Sequence, residues 1–110
     1  MLRKKYTSQF GKECEILFRE KKDIPDMKSS FYRFEIFMRD SIFGCDFTIS
    51  EQQIKKYNLD KDEIINICFD MVHEIVDEQI EKYCSVRIRK NDIIEYFIKQ
   101  NDTNRIESIT

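Results

Sequence analysis

The sequence predicts a small α+β domain. Three observations carry this: a long amphipathic stretch from Asp60 to Tyr83, an alternating apolar/polar stretch from Phe31 to Ile49, and very few breakers. There are two glycines and one proline in 110 residues. The expected order is helix, strand, strand, helix, strand, helix around a long central helix. An all-α alternative stays open because the middle third fits both periods. The length suits one core, so residues 1–110 are expected to form a single domain.

Taken in order, Ser8 to Lys22 reads as a first helix. Phe10, Cys14, Leu17 and Phe18 fall at i, i+4, i+7 and i+8 on one helical face. Pro25 ends it, because the residue before proline is pushed out of helical dihedrals. From Phe31 onward, Tyr32, Phe34, Ile36 and Met38 alternate with their neighbours, and Cys45, Phe47 and Ile49 do so again. Two such runs around Arg39-Asp40-Ser41 and Gly44 predict a β-hairpin. The competing helical stripe is Phe31, Phe34, Met38 and Ile42, with Gly44 as its C-cap.

The central helix carries Ile64, Ile67, Cys68, Met71, Val72, Ile75, Val76, Ile80 and Tyr83 on one broad face. Asp60 followed by Glu63 has the form of a capping box. At 1.5 Å per residue such a helix would run about 36 Å. Val86-Arg87-Ile88-Arg89 alternates as a short third strand. Asn91 caps a last helix through Gln100, and the polar tail 101–110 is expected to fray.

Composition narrows the function classes. Charged residues make up 36% of the chain, yet the net charge is only −2, which argues against a nucleic-acid coat over the whole surface. Ile occurs 17 times and Leu 3 times, and Ala and Trp are absent. Ala is the best helix former, so helix physics does not explain its absence. An AT-rich coding sequence does, as in low-GC bacteria, their phages and mobile elements, or some parasites and viruses. Cys14, Cys45, Cys68 and Cys84 show no metal-finger spacing and read as reduced thiols in a cytoplasmic protein. No apolar run is long enough for a membrane span, and none follows the start as a signal core.

Candidate chemistry is sparse. His73-Glu74-Ile75-Val76-Asp77 imitates a zinc motif, since i and i+4 share a helix face. A hydrolytic zinc site needs a third ligand, and the chain has one histidine. There is no phosphate-cradling glycine loop and no nucleophile elbow. No catalytic residue, metal or cofactor is therefore expected, and a metal-dependent hydrolase ranks third among the functional readings.

Thr48 to Asp60, with Ser50, Gln53, Ile54, Tyr57 and Asn58, resembles the front of a helix-turn-helix. Its second helix would be acidic where it meets phosphate, which repels DNA; the segment reads as a helix–helix corner. Ser85-Val86-Arg87-Ile88-Arg89-Lys90-Asn91-Asp92-Ile93-Ile94 after a long helix resembles the second half of a histone fold. The central helix is shorter than that fold's, and no functional residue is carried over.

The favoured expectation is a non-enzymatic regulatory protein that binds a macromolecule, foremost a protein, as an inhibitor or anti-defence protein of phage or mobile-element type. Its candidate docking strip is acidic: Glu63, Asp70, Glu74, Asp77, Glu78 and Glu81 along the central helix, a charge pattern that speeds association with a basic partner. Phe31, Phe37 and Phe43 are expected as exposed aromatic anchors in the hairpin reading. The alternative is a DNA-binding regulator using Arg87, Arg89 and Lys90.

Overall fold

The computed structural model describes residues 2–109. The chain runs β1 (Arg3–Thr7), β2 (Glu13–Ile24), a 3-10 turn at Pro25–Met27, β3 (Ser29–Met38), β4 (Ile42–Ser50), α1 (Glu51–Lys56), α2 (Lys61–Asp77), β5 (Cys84–Arg87), α3 (Lys90–Lys99) and α4 (Thr103–Ile109). All five strands lie in one sheet in sequence order. Each pair is antiparallel except β4–β5, which is parallel. A parallel neighbour requires a crossover, and α1 with α2 supplies it.

This is a mixed α/β fold that begins with strands, which overturns the predicted helix-first order and the all-α alternative. The segment expected as a first helix is strand β2. Two of the four residues in the helical stripe, Cys14 and Phe18, satisfy either period. The deciding row is Cys14, Ile16 and Phe18, whose register partners on β3 are Met38, Ile36 and Phe34. Leu17 points to the opposite face, and Phe10 lies outside any strand, 58% exposed. Turn chemistry holds the connection before β2. The Ser8 hydroxyl accepts from the Phe10 and Lys12 amides at 3.2 and 3.1 Å, and Gly11 takes φ +80°, a region that favours glycine.

The hairpin expected over Phe31–Ile49 is present as β3 and β4, paired from Ser29↔Ser50 to Phe37↔Ile42. A register shift between Phe18 and Glu20 leaves Arg19 as the extra residue of a bulge in β2.

The central helix starts where expected. Asp60 accepts from the Glu63 amide at 2.8 Å and Glu63 returns the bond to the Asp60 amide at 3.2 Å. It stops at Asp77, short of Tyr83, and so spans about 26 Å. The stop is a Schellman turn: Gln79 adopts φ 60°, and Gln79 and Ile80 donate to the carbonyls of Val76 and Ile75. The same closure ends α1 at Asn58 and α3 at Asn101, each with positive φ. With glycine so scarce, Asn and Gln occupy the left-handed positions that end these helices, and Lys28 holds the one that closes the 3-10 turn.

Helices pack on one face of the sheet. Tyr32, Phe34 and Ile36 of β3 and Phe43, Cys45, Phe47 and Ile49 of β4 form a buried layer with Ile64, Ile67, Cys68, Phe69, Val72 and Val76 of α2. Phe69 meets Phe34 edge-on at 5.1 Å, and Phe34 meets Phe47 the same way at 5.7 Å. Ile88, Ile93 and Phe97 bring the β5–α3 unit into that core. The segment that resembles half of a histone fold therefore completes a sheet. The expected frayed tail carries α4, whose Arg105 pairs with Glu63; Thr110 and Met1 lie outside the described residues. Among the described residues no helix is long and apolar enough to cross a membrane.

Candidate functional site

The acidic strip proposed from sequence is divided by the fold. Glu63 caps α2 and pairs with Arg105 of α4. Asp70 faces Lys99 of α3 at 3.7 Å. Asp77 accepts from the Tyr6 hydroxyl at 2.7 Å and the Gln9 amide at 2.9 Å, tying α2 to the β1–β2 connection. Glu81 accepts from Lys12 at 3.1 Å and Ser41 at 3.0 Å, joining two further turns. Glu74 and Glu78 are exposed. Partial burial, then the neighbouring Glu95 and Asp92, raise the Glu74 carboxyl above its usual range. Most of the strip thus works inside the molecule.

His73 and Asp77 of the imitation zinc motif converge on Tyr6. The imidazole stacks on its ring at 4.0 Å and 10°, while the carboxylate takes its hydroxyl. That hydrogen bond pushes the Tyr6 phenol up to about 12 and holds Asp77 below the usual carboxylate range. Burial lowers the His73 pKa, against the pull of Asp70. Glu74 instead lines a shallow hollow with Asp92 and Glu95 of α3, whose like charges disfavour its ionised form. Among the described residues no group of three or more His, Cys, Asp and Glu side chains is placed to hold a metal ion.

Arg87, Arg89 and Lys90 are exposed where β5 passes into α3. Arg87 stands beside Thr48 of β4. The Arg89 amide receives its cap from Asp92 at 2.8 Å. The Ser50–Asp60 corner has its own capping box, with Ser50 and Gln53 bonding reciprocally at 3.1 and 3.5 Å.

The least expected surface is the other face of the sheet. Register places Lys5, Glu15, Phe37 and Ile42 in one row, Arg3, Leu17, Glu35 and Gly44 in the next, then Glu20, Arg33, Asp46 and Ser85, and finally Lys22, Phe31, Thr48 and Arg87. Phe31 and Phe37 are partly exposed, as the hairpin reading expected. Phe43 is not: it pairs with Ile36 and is 6% exposed in the core. The three-residue turn makes odd positions of β4 face even positions of β3, so the parity changes between strands.

Two apolar side chains stand out on this face, Ile42 at 64% and Tyr83 at 61% exposure. Tyr83 lies over Gly44, where a Cβ would sit 3.6 Å from its ring. Its hydroxyl donates to Asp46 at 2.8 Å, and Arg33 grips the same carboxylate with Nε at 2.9 Å and Nη2 at 3.2 Å. Arg33, then Tyr83, hold Asp46 below the usual carboxylate range despite its burial. Arg33 also lies over Phe31 at 5.3 Å and reaches Glu20 at 3.4 Å. The pairs Arg3–Glu15 and Arg19–Glu35 flank Leu17, which is sealed at 2% exposure. At the rim, a hollow of about 530 Å³ opens between Lys5, Thr7, Glu13, Glu15, Phe37 and Arg39.

Sequence reasoning missed the Arg33–Asp46–Tyr83 cluster. One signal was available: in a hairpin with Ile36 opposite Phe43, Arg33 falls opposite Asp46. Tyr83 had none, having been assigned to the helix. No family model, curated protein or solved structure matches the chain.

Proposed function

We propose that the protein is a non-enzymatic binding protein whose docking surface is the helix-free face of its sheet, and that its partner is a protein. One observation carries the reading: Phe31, Phe37, Ile42 and Tyr83 share a face that no helix of the described chain covers, around an ordered Arg33–Asp46 pair. Aromatic anchors and arginine are the residue types that dominate protein interfaces. Basic and acidic side chains interleave across it in ion pairs, so it lacks the positive field that draws phosphate polymers. This favours a protein over DNA and the sheet face over the acidic strip. A small inhibitor of phage or mobile-element type, acting in the cytoplasm, is the concrete form, in keeping with the Ile-rich, Ala-free composition and four unbridged cysteines.

The test is capture from lysate of a low-GC bacterium with three tagged forms: wild type, Phe37→Asp with Ile42→Asp, and Glu74→Lys with Glu78→Lys. The proposal expects a stoichiometric protein retained by the wild type and the helix variant and lost from the sheet variant. Loss from the helix variant alone would return the docking role to the acidic strip. Retention by neither variant, with a salt-sensitive gel shift that depends on Arg87, Arg89 and Lys90, would favour the DNA-binding alternative.

A further inference from the structure

Cys45 and Cys84 are Cα register partners across the parallel β4–β5 pair, and both thiols are unbridged. Neighbouring strands stand about 4.8 Å apart, within the roughly 4.4–6.8 Å that a disulfide spans between Cα atoms. As register partners they project from the same side of the sheet. Cys45 is fully buried there, whereas Cys84 opens β5 at the sheet edge and is partly exposed. Its thiol donates to the Lys82 carbonyl at 3.3 Å. The sulfurs also sense each other: after burial, the Cys84 sulfur is the largest influence keeping the Cys45 thiol protonated. The other cysteines have different neighbours, Cys14 beside Tyr6 and Met38, and Cys68 in the buried face of α2.

We propose that Cys45 and Cys84 are a redox modification site that forms a reversible intramolecular disulfide by exchange with a low-molecular-weight disulfide. The Cys84 thiolate attacks one sulfur of the oxidant, breaking its S–S bond and expelling one thiolate. Cys45, its proton lost to solvent, then attacks the Cys84 sulfur and expels the second thiolate. The protein gives up two protons and two electrons, and the oxidant leaves as two thiols. Exposure makes Cys84 the entry point, and the high pKa of Cys45 makes the second step the slower one. The bond would close the chain around α1 and α2 and clamp edge strand β5 onto β4. The inference rests on the β4–β5 register and stands or falls independently of the binding reading.

The experiment equilibrates the full chain with glutathione and glutathione disulfide over a range of ratios. Acid quenching, alkylation and peptide mapping follow. Before alkylation the expected product is lighter than the reduced chain by about 2 Da, and after it the map holds a Cys45–Cys84 linked peptide with Cys14 and Cys68 alkylated. Its Tm rises by about 10 °C over the reduced form, and reduction reverses this. Cys84→Ser abolishes the product and Cys14→Ser leaves it intact. A persistent glutathione adduct on Cys84, a link to Cys14 or Cys68, or four alkylated thiols at the most oxidising ratio would each overturn the proposal. The map on the wild-type chain decides this even if a variant fails to fold.

Discussion

Asp46 illustrates how a residue on an open sheet face becomes buried and charged together. The residue is only 8% exposed because Tyr83 lies above its carboxylate and Arg33 beside it. Its pKa is depressed, so its stabilisation is complete above the ordinary carboxylate range and is lost as pH falls through the lowered folded value. Asp46→Asn should cost about 1–2 kcal/mol at pH 7. The variant should also show a shallower loss of stability than the wild type between pH 5 and the acid limit. Urea denaturation across pH checks both outcomes. Gln79 supplies a second test at this scale. It holds φ 60° at the end of α2, a conformation that costs a side chain roughly 1 kcal/mol and glycine almost nothing. Gln79→Gly is expected to raise the unfolding free energy by about 0.5–1 kcal/mol; a fall would mean that its side chain matters more than its backbone.

Among the elements, α2 and the β3–β4 hairpin make the core. Phe69 is 1% exposed and sits edge-on to Phe34. Phe69→Ala should cost about 3–5 kcal/mol, seen as a lower denaturant midpoint with near-native far-UV dichroism under folding conditions. Of the two, α2 is the more legible in the sequence, for a physical reason, whereas the hairpin stretch fits both the strand and the helix period. Long elements with one buried face repeat their pattern often enough to fix the period, as Ile64, Ile67, Cys68, Val72, Ile75 and Val76 do. Strand β2 was misread because its apolar run is short and then passes into Arg19-Glu20-Lys21-Lys22, whose strand pairing comes from β3 and is invisible locally. The bulge at Arg19 further breaks the alternation. The end of α2 was misplaced because the stop signal, Gln79 in a left-handed turn, is a residue that ordinarily continues a helix.

On the scale of the whole molecule, one sheet carries helices on a single side, and the charged residues sort accordingly. Carboxylates along α2 become struts to β1, α3 and α4, which a reading of α2 alone cannot anticipate. The opposite side of the sheet keeps aromatic and aliphatic side chains in company with paired charges. Of this site, Phe31 and Phe37 were legible from alternation. Arg33, Asp46 and Tyr83 come together only through strand register and the early end of α2. The role proposed for this face is to bind a protein partner. Once a partner is captured, titration of that partner against the Phe37→Asp, Ile42→Asp double variant, with circular dichroism to establish its fold, is the most direct measurement. The expected result is native-like dichroism with affinity weakened at least about 100-fold, as for loss of hot-spot contacts worth over 2 kcal/mol. A folded variant that binds as tightly as the wild type would contradict it.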